Sequence, residues 1–246
     1  MAESSRVALV TGAAKGIGFA IAERLQRDGY ALGFATQRDD DESRQAFEQL
    51  QDCPAEWVRG DLSDAEIPQR LVRQVAERFG RFDVLVNNAG LSTAKPVLEL
   101  TAEDFDRTFA VDVRASFLAS QEAARAMGDQ GGVIVNITSV HEHVPRPGFS
   151  IYAAAKAALG MLTRGLAIEL APKIRVVSVA PGVIATERNV EAEGLAPEVP
   201  LGRPGEPGEV AELVAWVVSD SARYVTGTSI LIDGGMAQRV VDRPAG

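Results

Sequence analysis

Apolar residues alternate between two rhythms along the chain. Short runs rich in Val, Ile, Leu and Ala fall at Val7–Thr11, Ala31–Ala35, Glu56–Arg59, Val84–Asn87, Val133–Thr138, Arg175–Ala180 and Ser229–Ile232. They lack the strict apolar–polar alternation of a half-exposed sheet, so they predict strands buried on both faces. Between them, at helical spacing, lie Ile17–Arg27, Glu42–Leu50, Ala65–Phe79, Ala102–Met127, Ile151–Leu170 and Gly208–Ser219. Strands alternating with helices require crossover connections, and so parallel pairing. The expectation is an α/β fold, a Rossmann-like, doubly wound parallel sheet of about seven strands with helices on both faces. No repeat or compositional step divides the chain, and residues 1–246 are read as a single domain. Two segments break the rhythm: the loop between Ser139 and Ile151, and a Pro/Gly-punctuated stretch, 183–206, read as a substrate loop and weakest in structure from Glu191 to Pro200. Both follow the C-terminal ends of strands, where open α/β sheets bind ligands.

Composition narrows the class. The chain is 46% hydrophobic and 24% charged, as ordinary globular proteins are. Its 25 basic and 34 acidic residues give a net charge of −9, which argues against a nucleic-acid partner. Cys53 is the sole cysteine, so no internal disulfide is expected, and no His/Cys spacing suggests a metal. Met1–Arg6 has no secretory pattern, and no apolar run approaches the ~18 residues of a membrane span. A cytoplasmic protein with no membrane partner is expected.

Chemistry enters at the first strand–helix junction. Val7–Thr11 runs into Gly12-Ala13-Ala14-Lys15-Gly16-Ile17-Gly18 and then a helix. Glycines let the backbone approach a ligand, and a helix start aims N–H groups and partial positive charge at a phosphate. In this context the pattern T-G-x-x-x-G-x-G predicts dinucleotide binding. Cofactor choice rests on the end of the second strand, where an acid would favour NAD and an arginine NADP. This chain reads Ala35-Thr36-Gln37-Arg38, with Thr36 able to donate to a phosphate and Lys15 nearby, so NADP is preferred over NAD. Against that, Asp39, Asp40, Asp41 and Glu42 follow at once, and Arg38 could simply pair with them.

Tyr152 and Lys156 stand four apart at the start of a helix and share a face. A lysine ammonium beside a phenol favours the phenolate, which suits the pair to acid–base work. Ser139, at the end of the fifth strand, can hold a carbonyl or alcohol oxygen. Together with Asn87-Asn88-Ala89-Gly90, Asp61-Leu62, Pro181-Gly182 with Thr186, and Asp233-Gly234-Gly235, this set resembles the short-chain dehydrogenase/reductase family over essentially the whole chain. The resemblance implies that Gly12, Lys15, Gly16, Ile17 and Gly18 hold the pyrophosphate and that Asp61 contacts the adenine. Leu62, Asn88, Ala89, Gly90, Pro181, Gly182 and Thr186 would line the cofactor pocket, with Arg38 near the ribose. Tyr152 would be the general acid/base, Lys156 would hold the nicotinamide ribose, Ser139 would position the substrate, and no metal would be needed.

Asp112 departs from the family pattern, which has Asn there to support a water in the proton relay. An Asp keeps acceptors but loses the amide donor. Our expectation is that its carbonyl and carboxylate still hold the water; the alternative is a slowed relay or an altered pH profile. The segment Ser139–Pro147 and the run Gly202-Arg203-Pro204-Gly205-Glu206 look like the glucose 1-dehydrogenase branch, and His141, Glu142 and His143 could hydrogen-bond a polyol. That branch often has an acid where this chain has Ser92. The expected reaction is hydride transfer between a nicotinamide cofactor and a secondary alcohol or ketone, possibly a sugar. Small-ketone or 3-oxoacyl thioester reduction is the alternative. A non-catalytic, cofactor-binding regulator is a third, opposed by the intact Ser139, Tyr152 and Lys156. The resemblance also implies a homotetramer.

Overall fold

Seven strands form one sheet in the order β3-β2-β1-β4-β5-β6-β7, every neighbour parallel. They are β1 (Val7–Thr11), β2 (Ala31–Thr36), β3 (Ala55–Arg59), β4 (Val84–Asn87), β5 (Gly132–Ile137), β6 (Ile174–Pro181) and β7 (Ser229–Ile232). Each lies within one residue of its expected bounds. The computed structural model describes residues 5–50, 53–187, 189 and 192–238. Residues 1–4, most of the expected polar start, fall outside that range, as do three positions of the expected substrate loop.

Successive strand residues point to opposite faces, so each face needs its own helical cover. On one, Ala8, Val10, Leu32, Phe34, Val135 and Val179 pack with Ile21 and Leu25 of α1 (Gly16–Arg27) and Val210 and Val214 of α7 (Pro207–Val218). On the other, Val7, Leu9, Leu85, Ile134 and Val176 pack with α3 (Ile67–Phe79), α5 (Ala115–Met127) and α6 (Ser150–Glu169) through Leu71, Val75, Ala119, Ala123 and Leu166. Burying each larger side chain contributes about 1.5–3 kcal/mol, and these two layers hold the helices on the sheet. The short α2 (Asp41–Glu48) begins where the Asp40 carboxylate accepts from Ser43 N at 2.9 Å.

The expected continuous helix Ala102–Met127 is three pieces: α4 (Ala102–Phe109), a π-helical turn over Ala110–Arg114, and α5. Apolar spacing cannot reveal one widened turn, because it shifts the periodicity without interrupting it. At 20 residues, α6 is by length and composition of membrane-spanning kind, contrary to the sequence expectation. Here its apolar residues Leu166 and Ala167 pack on the sheet.

The stretch 183–206 is more ordered than its composition suggests. Ala192–Glu198 is a 3-10 helix, Ile184 bridges Gly205, and Val183, Ala192 and Val199 form a small apolar cluster. Arg203 donates to both Glu209 carboxylate oxygens at 2.9 and 2.8 Å, tying the end of the loop to α7. The Gly202–Glu206 run therefore works as an anchor. Strand order reverses between β1 and β4, which opens a crevice at the C-terminal ends of the strands.

Candidate active site

The crevice is a cavity of about 550 Å³. Its floor is the turn after β1. Gly12 and Gly16 have φ of +65° and +55°, left-handed values that disfavour any side chain. A Cβ on Gly18 would sit 2.2 Å from the Gly12 carbonyl oxygen, so α1 starts in direct contact with the turn. The first turn of α1 has no side-chain cap and no acidic residue. Its backbone N–H groups thus remain available to an anionic ligand. Asn88 holds the turn from β4, donating through Nδ2 to the carbonyls of Thr11 at 2.9 Å and Gly12 at 3.2 Å. The Thr11 hydroxyl accepts from Asn88 N and Ala89 N, both at 3.0 Å. These features fit a dinucleotide diphosphate.

At the end of β2 the acidic run is largely occupied. Asp39 is paired with Arg44 at 2.7 Å and with Arg59, and Asp40 caps α2. Among the described residues Arg38 enters no ion pair, and it lines the cavity. Arg38 thus makes no close ion pair with the acids that follow it, although the Asp40 carboxyl is held low by the Ser43 hydrogen bonds and, after them, by the Arg38 charge. Thr36 is corrected too: it is buried, its hydroxyl donates to Arg38 O at 2.8 Å and accepts from Trp57 Nε1 at 2.8 Å, so it has no proton to offer a phosphate. Lys15 and Glu42 meet across the mouth at 2.7 and 3.0 Å. Asp61 accepts from Ser63 N at 2.9 Å and from Gln37 Nε2 at 3.0 Å. The Ser63 backbone hydrogen bond is the main reason its carboxyl is held below the usual range, and it stays an acceptor.

At the other end, Ser139 follows β5 and α6 brings Tyr152 and Lys156 beneath it. Lys156 is buried, donates to Ile137 O at 3.2 Å, and lies 5.6 Å from the Tyr152 ring centroid. The π turn aims Asp112 at the same lysine: Oδ2 is 3.1 Å from Nζ, an ion pair without hydrogen-bond alignment, while Oδ1 accepts from Leu91 N at 2.8 Å. The Asp112 carbonyl accepts from Ser116 Oγ at 3.1 Å. The Asp112 carbonyl and Oδ1 are thus each engaged within the chain, while Oδ2 carries no hydrogen bond and faces Lys156. Burial alone would push the Lys156 ammonium down; the Asp112 carboxylate, with Tyr152, overcomes this and leaves its pKa raised above 10.5. Gly90 permits the contact, since a Cβ there would lie 3.0 Å from both Asp112 Oδ2 and Lys156 Nζ. Behind them, Asn87 donates to Asn136 Oδ1 and Asn136 to Thr163 Oγ1, both at 2.8 Å, and Thr163 meets Ser178 at 2.7 Å. This polar chain ties β4, β5, α6 and β6 together below the cavity.

Gly12, Lys15, Gly16, Ile17, Gly18, Arg38, Asp61, Leu62, Asn88, Ala89, Gly90, Ser139, Tyr152, Lys156, Pro181, Gly182 and Thr186 all line the cavity; Asp112 lies behind its wall. His141, Glu142 and His143 do not line it. The His141 ring contacts Val144 O through Nδ1 at 2.9 Å and stacks on Phe149, and Glu142 turns away to Ser229. Sequence reasoning missed Gln37, Ser43 and Arg107 on the cavity wall and the holding role of Thr11. Only Thr11 had a signal, as the first letter of the glycine pattern.

Residues 12–237 match the family described as enoyl-(acyl carrier protein) reductase. The acetoin dehydrogenase of Enterobacter cloacae superposes with a TM-score of 0.91 at 43% identity, over 99% of this chain and 100% of that one. The chain belongs to the short-chain dehydrogenase/reductase family. A member from Burkholderia cenocepacia J2315 solved in complex with NADP is 39% identical, with a TM-score of 0.90, covering 95% and 98% of the two chains. Glucose 1-dehydrogenase 2 of Bacillus subtilis is 36% identical over 245 residues, 95% of each chain. As a short-chain dehydrogenase/reductase, this protein is an oxidoreductase that uses NADP or NAD to interconvert alcohols and ketones.

Proposed function

We propose that this short-chain dehydrogenase/reductase reduces a small ketone, of the diketone or hydroxyketone class, with NADPH. The observation that carries the reading is the meeting of Ser139, Tyr152 and Lys156 at one end of a cavity whose other end is the glycine turn. Tyr152 gives a proton from Oη to the ketone oxygen, and in the reverse direction takes it back. Ser139 Oγ holds that oxygen in place. Lys156 would hold the nicotinamide ribose hydroxyls of the bound cofactor. Asp112 keeps Lys156 protonated. Bound nicotinamide supplies the hydride. The backbone of Gly12–Gly18, with Ile17, would hold the diphosphate; Asp61 would accept from the adenine; Leu62, Asn88–Gly90, Pro181, Gly182 and Thr186 would line the rest. Arg38 and Lys15 line the cavity beside the end of β2, where they would meet a 2′-phosphate, and this supports NADP over NAD.

The small-ketone reading is favoured because Glu142, the carboxylate expected to grip a polyol, is drawn off to Ser229, and the Enterobacter cloacae neighbour is an acetoin dehydrogenase. Sugar oxidation is the second reading, supported by the Bacillus subtilis glucose 1-dehydrogenase. Nicotinamide absorbance should fall with diacetyl and NADPH, more slowly with NADH, and at least about 10²-fold more slowly in Y152F. Turnover of glucose but not diacetyl would favour the second reading; diacetyl turnover at the wild-type rate in Y152F would overturn the roles assigned here. A cytoplasmic homotetramer accompanies the proposal: Phe117, Met161, Ile168 and Trp216 are exposed apolar side chains on α5, α6 and α7 suited to contacts between copies. Sedimentation as monomer at micromolar concentration would oppose it.

A further inference from the structure

Glu142 is a buried carboxylate that the mechanism does not use. It ends the 3-10 turn Val140–Glu142, whose N-cap is Ser139; the Ser139 hydroxyl accepts from His141 N at 3.2 Å, and Glu142 N donates to Ser139 O at 2.8 Å. From there the side chain leaves the cavity and is only 4% exposed. Oε2 accepts from Ser229 Oγ of β7 at 2.9 Å, whereas Oε1 is buried with no hydrogen-bond partner. Arg164 Nη2 is 3.9 Å from Oε1, and His143 Nε2 is 3.8 Å from Oε2.

The surface that receives Glu142 is α6. Tyr152, Lys156, Gly160 and Arg164 follow one another at four-residue intervals, on a face that drifts by about 40° per step. Gly160 is the gap in that row. A Cβ there would lie 2.1 Å from Oε1 and 2.3 Å from Cδ, so the carboxylate fills the space a side chain would take. A nearly enclosed carboxylate with one oxygen lacking a hydrogen bond and only distant, half-exposed cations nearby contributes little to stability, and replacing such groups by apolar ones is often neutral or favourable. What the arrangement does supply is position.

We propose that Glu142 is a positioning residue that docks the Ser139-bearing turn into the Gly160 notch and so fixes Ser139 relative to Tyr152 on the same helix. The inference rests on the reading of Ser139 as the substrate-oxygen holder. Misplacement of a positioning group by about 1 Å can cost about 10²-fold in rate.

The test is a double-mutant cycle on the NADPH-loaded enzyme with diacetyl, alongside NADPH affinity by fluorescence titration and thermal melting. E142A should lower kcat by about tenfold to a hundredfold, with NADPH affinity unchanged and the melting temperature equal or higher. E142Q, which keeps the shape and an acceptor for Ser229, should recover most of the rate, and S229A should give a milder form of the E142A defect. In an S139A background E142A should have no further effect on kcat. Wild-type kcat in E142A, or additive losses in S139A/E142A, overturns the inference while leaving Ser139's role intact. Full activity in S139A instead overturns the Ser139 reading itself, and the inference with it. Should E142A not fold, S229A carries the same cycle.

Discussion

At the mouth of the cavity Lys15 and Glu42 face each other with side chains 34% and 51% exposed; at its far end Lys156 and Asp112 make the same kind of contact at 4% and 0%. One cation–carboxylate pair is solvated and the other sealed, and the physics differs accordingly. In solvent such a pair is worth about 0–1 kcal/mol and is screened by salt. Sealed, neither partner can be removed without leaving a bare charge in a poor dielectric. The mouth is therefore adjustable and the far end is not. Around each pair the construction follows suit: the mouth is made of backbone N–H groups and surface cations, the far end of side chains locked by Gly90, Leu91 N and Ile137 O.

Experiments on the two ends should separate by size. Y152F should have the largest effect, lowering kcat by about 10²–10⁴-fold while leaving NADPH affinity, measured by fluorescence, near wild type. D112N leaves Lys156 buried without its counter-charge, and we expect a loss of about 3–5 kcal/mol by chemical denaturation at neutral pH. The sign with pH follows from the raised Lys156 pKa. In the wild type its contribution is full below the ordinary value of 10.5 and is lost only as pH rises through the higher folded value. In D112N burial acts against a weaker counterforce, so the alkaline limb of the kcat profile should move to lower pH. An unchanged profile would remove Asp112 from the protonation of Lys156.

Smaller effects belong to the mouth. G18A forces the turn to move away from Gly12 O and should weaken binding of both cofactors by about 1–3 kcal/mol, roughly fivefold to 150-fold. Discrimination between NADPH and NADH that changed more than overall affinity would contradict a shared diphosphate role. E42Q releases Lys15 and should raise NADPH affinity by only about two- to fivefold, with NADH unaffected and the gain fading at high salt. A loss of NADPH affinity would mean that Glu42 orients Lys15 instead of competing for it.

The far end and the glycine turn were both legible in the sequence, because each depends on residue types at fixed local spacing. Seven apolar runs identified the strands, since parallel buried strands tolerate few polar residues. Less legible were features that depend on what a side chain meets in space. Thr36 looked like a phosphate donor until Trp57, 21 positions away, was seen to occupy it. Glu142 looked like a polyol ligand until Ser229, 87 positions away, drew it off the cavity. The acids after Arg38 seemed a bar to NADP, yet Arg44 and Arg59 occupy Asp39. The π turn was invisible for another reason: one additional residue in a turn leaves every neighbour's character unchanged.

That turn couples chain length to chemistry. It holds one more residue than an α turn would, so all that follows Arg114 is rotated by about 100° relative to an unbroken helix. Ala119, Ala123 and Met127 reach the sheet, and Asp112 reaches Lys156, only because of this offset. Deleting any single residue from 110–114 would restore a straight helix and leave the two demands irreconcilable. Either the apolar face of α5 rolls off the core or the carboxylate swings away from the ammonium. In this stretch the number of residues, as well as the carboxylate of Asp112, is a requirement of the active site.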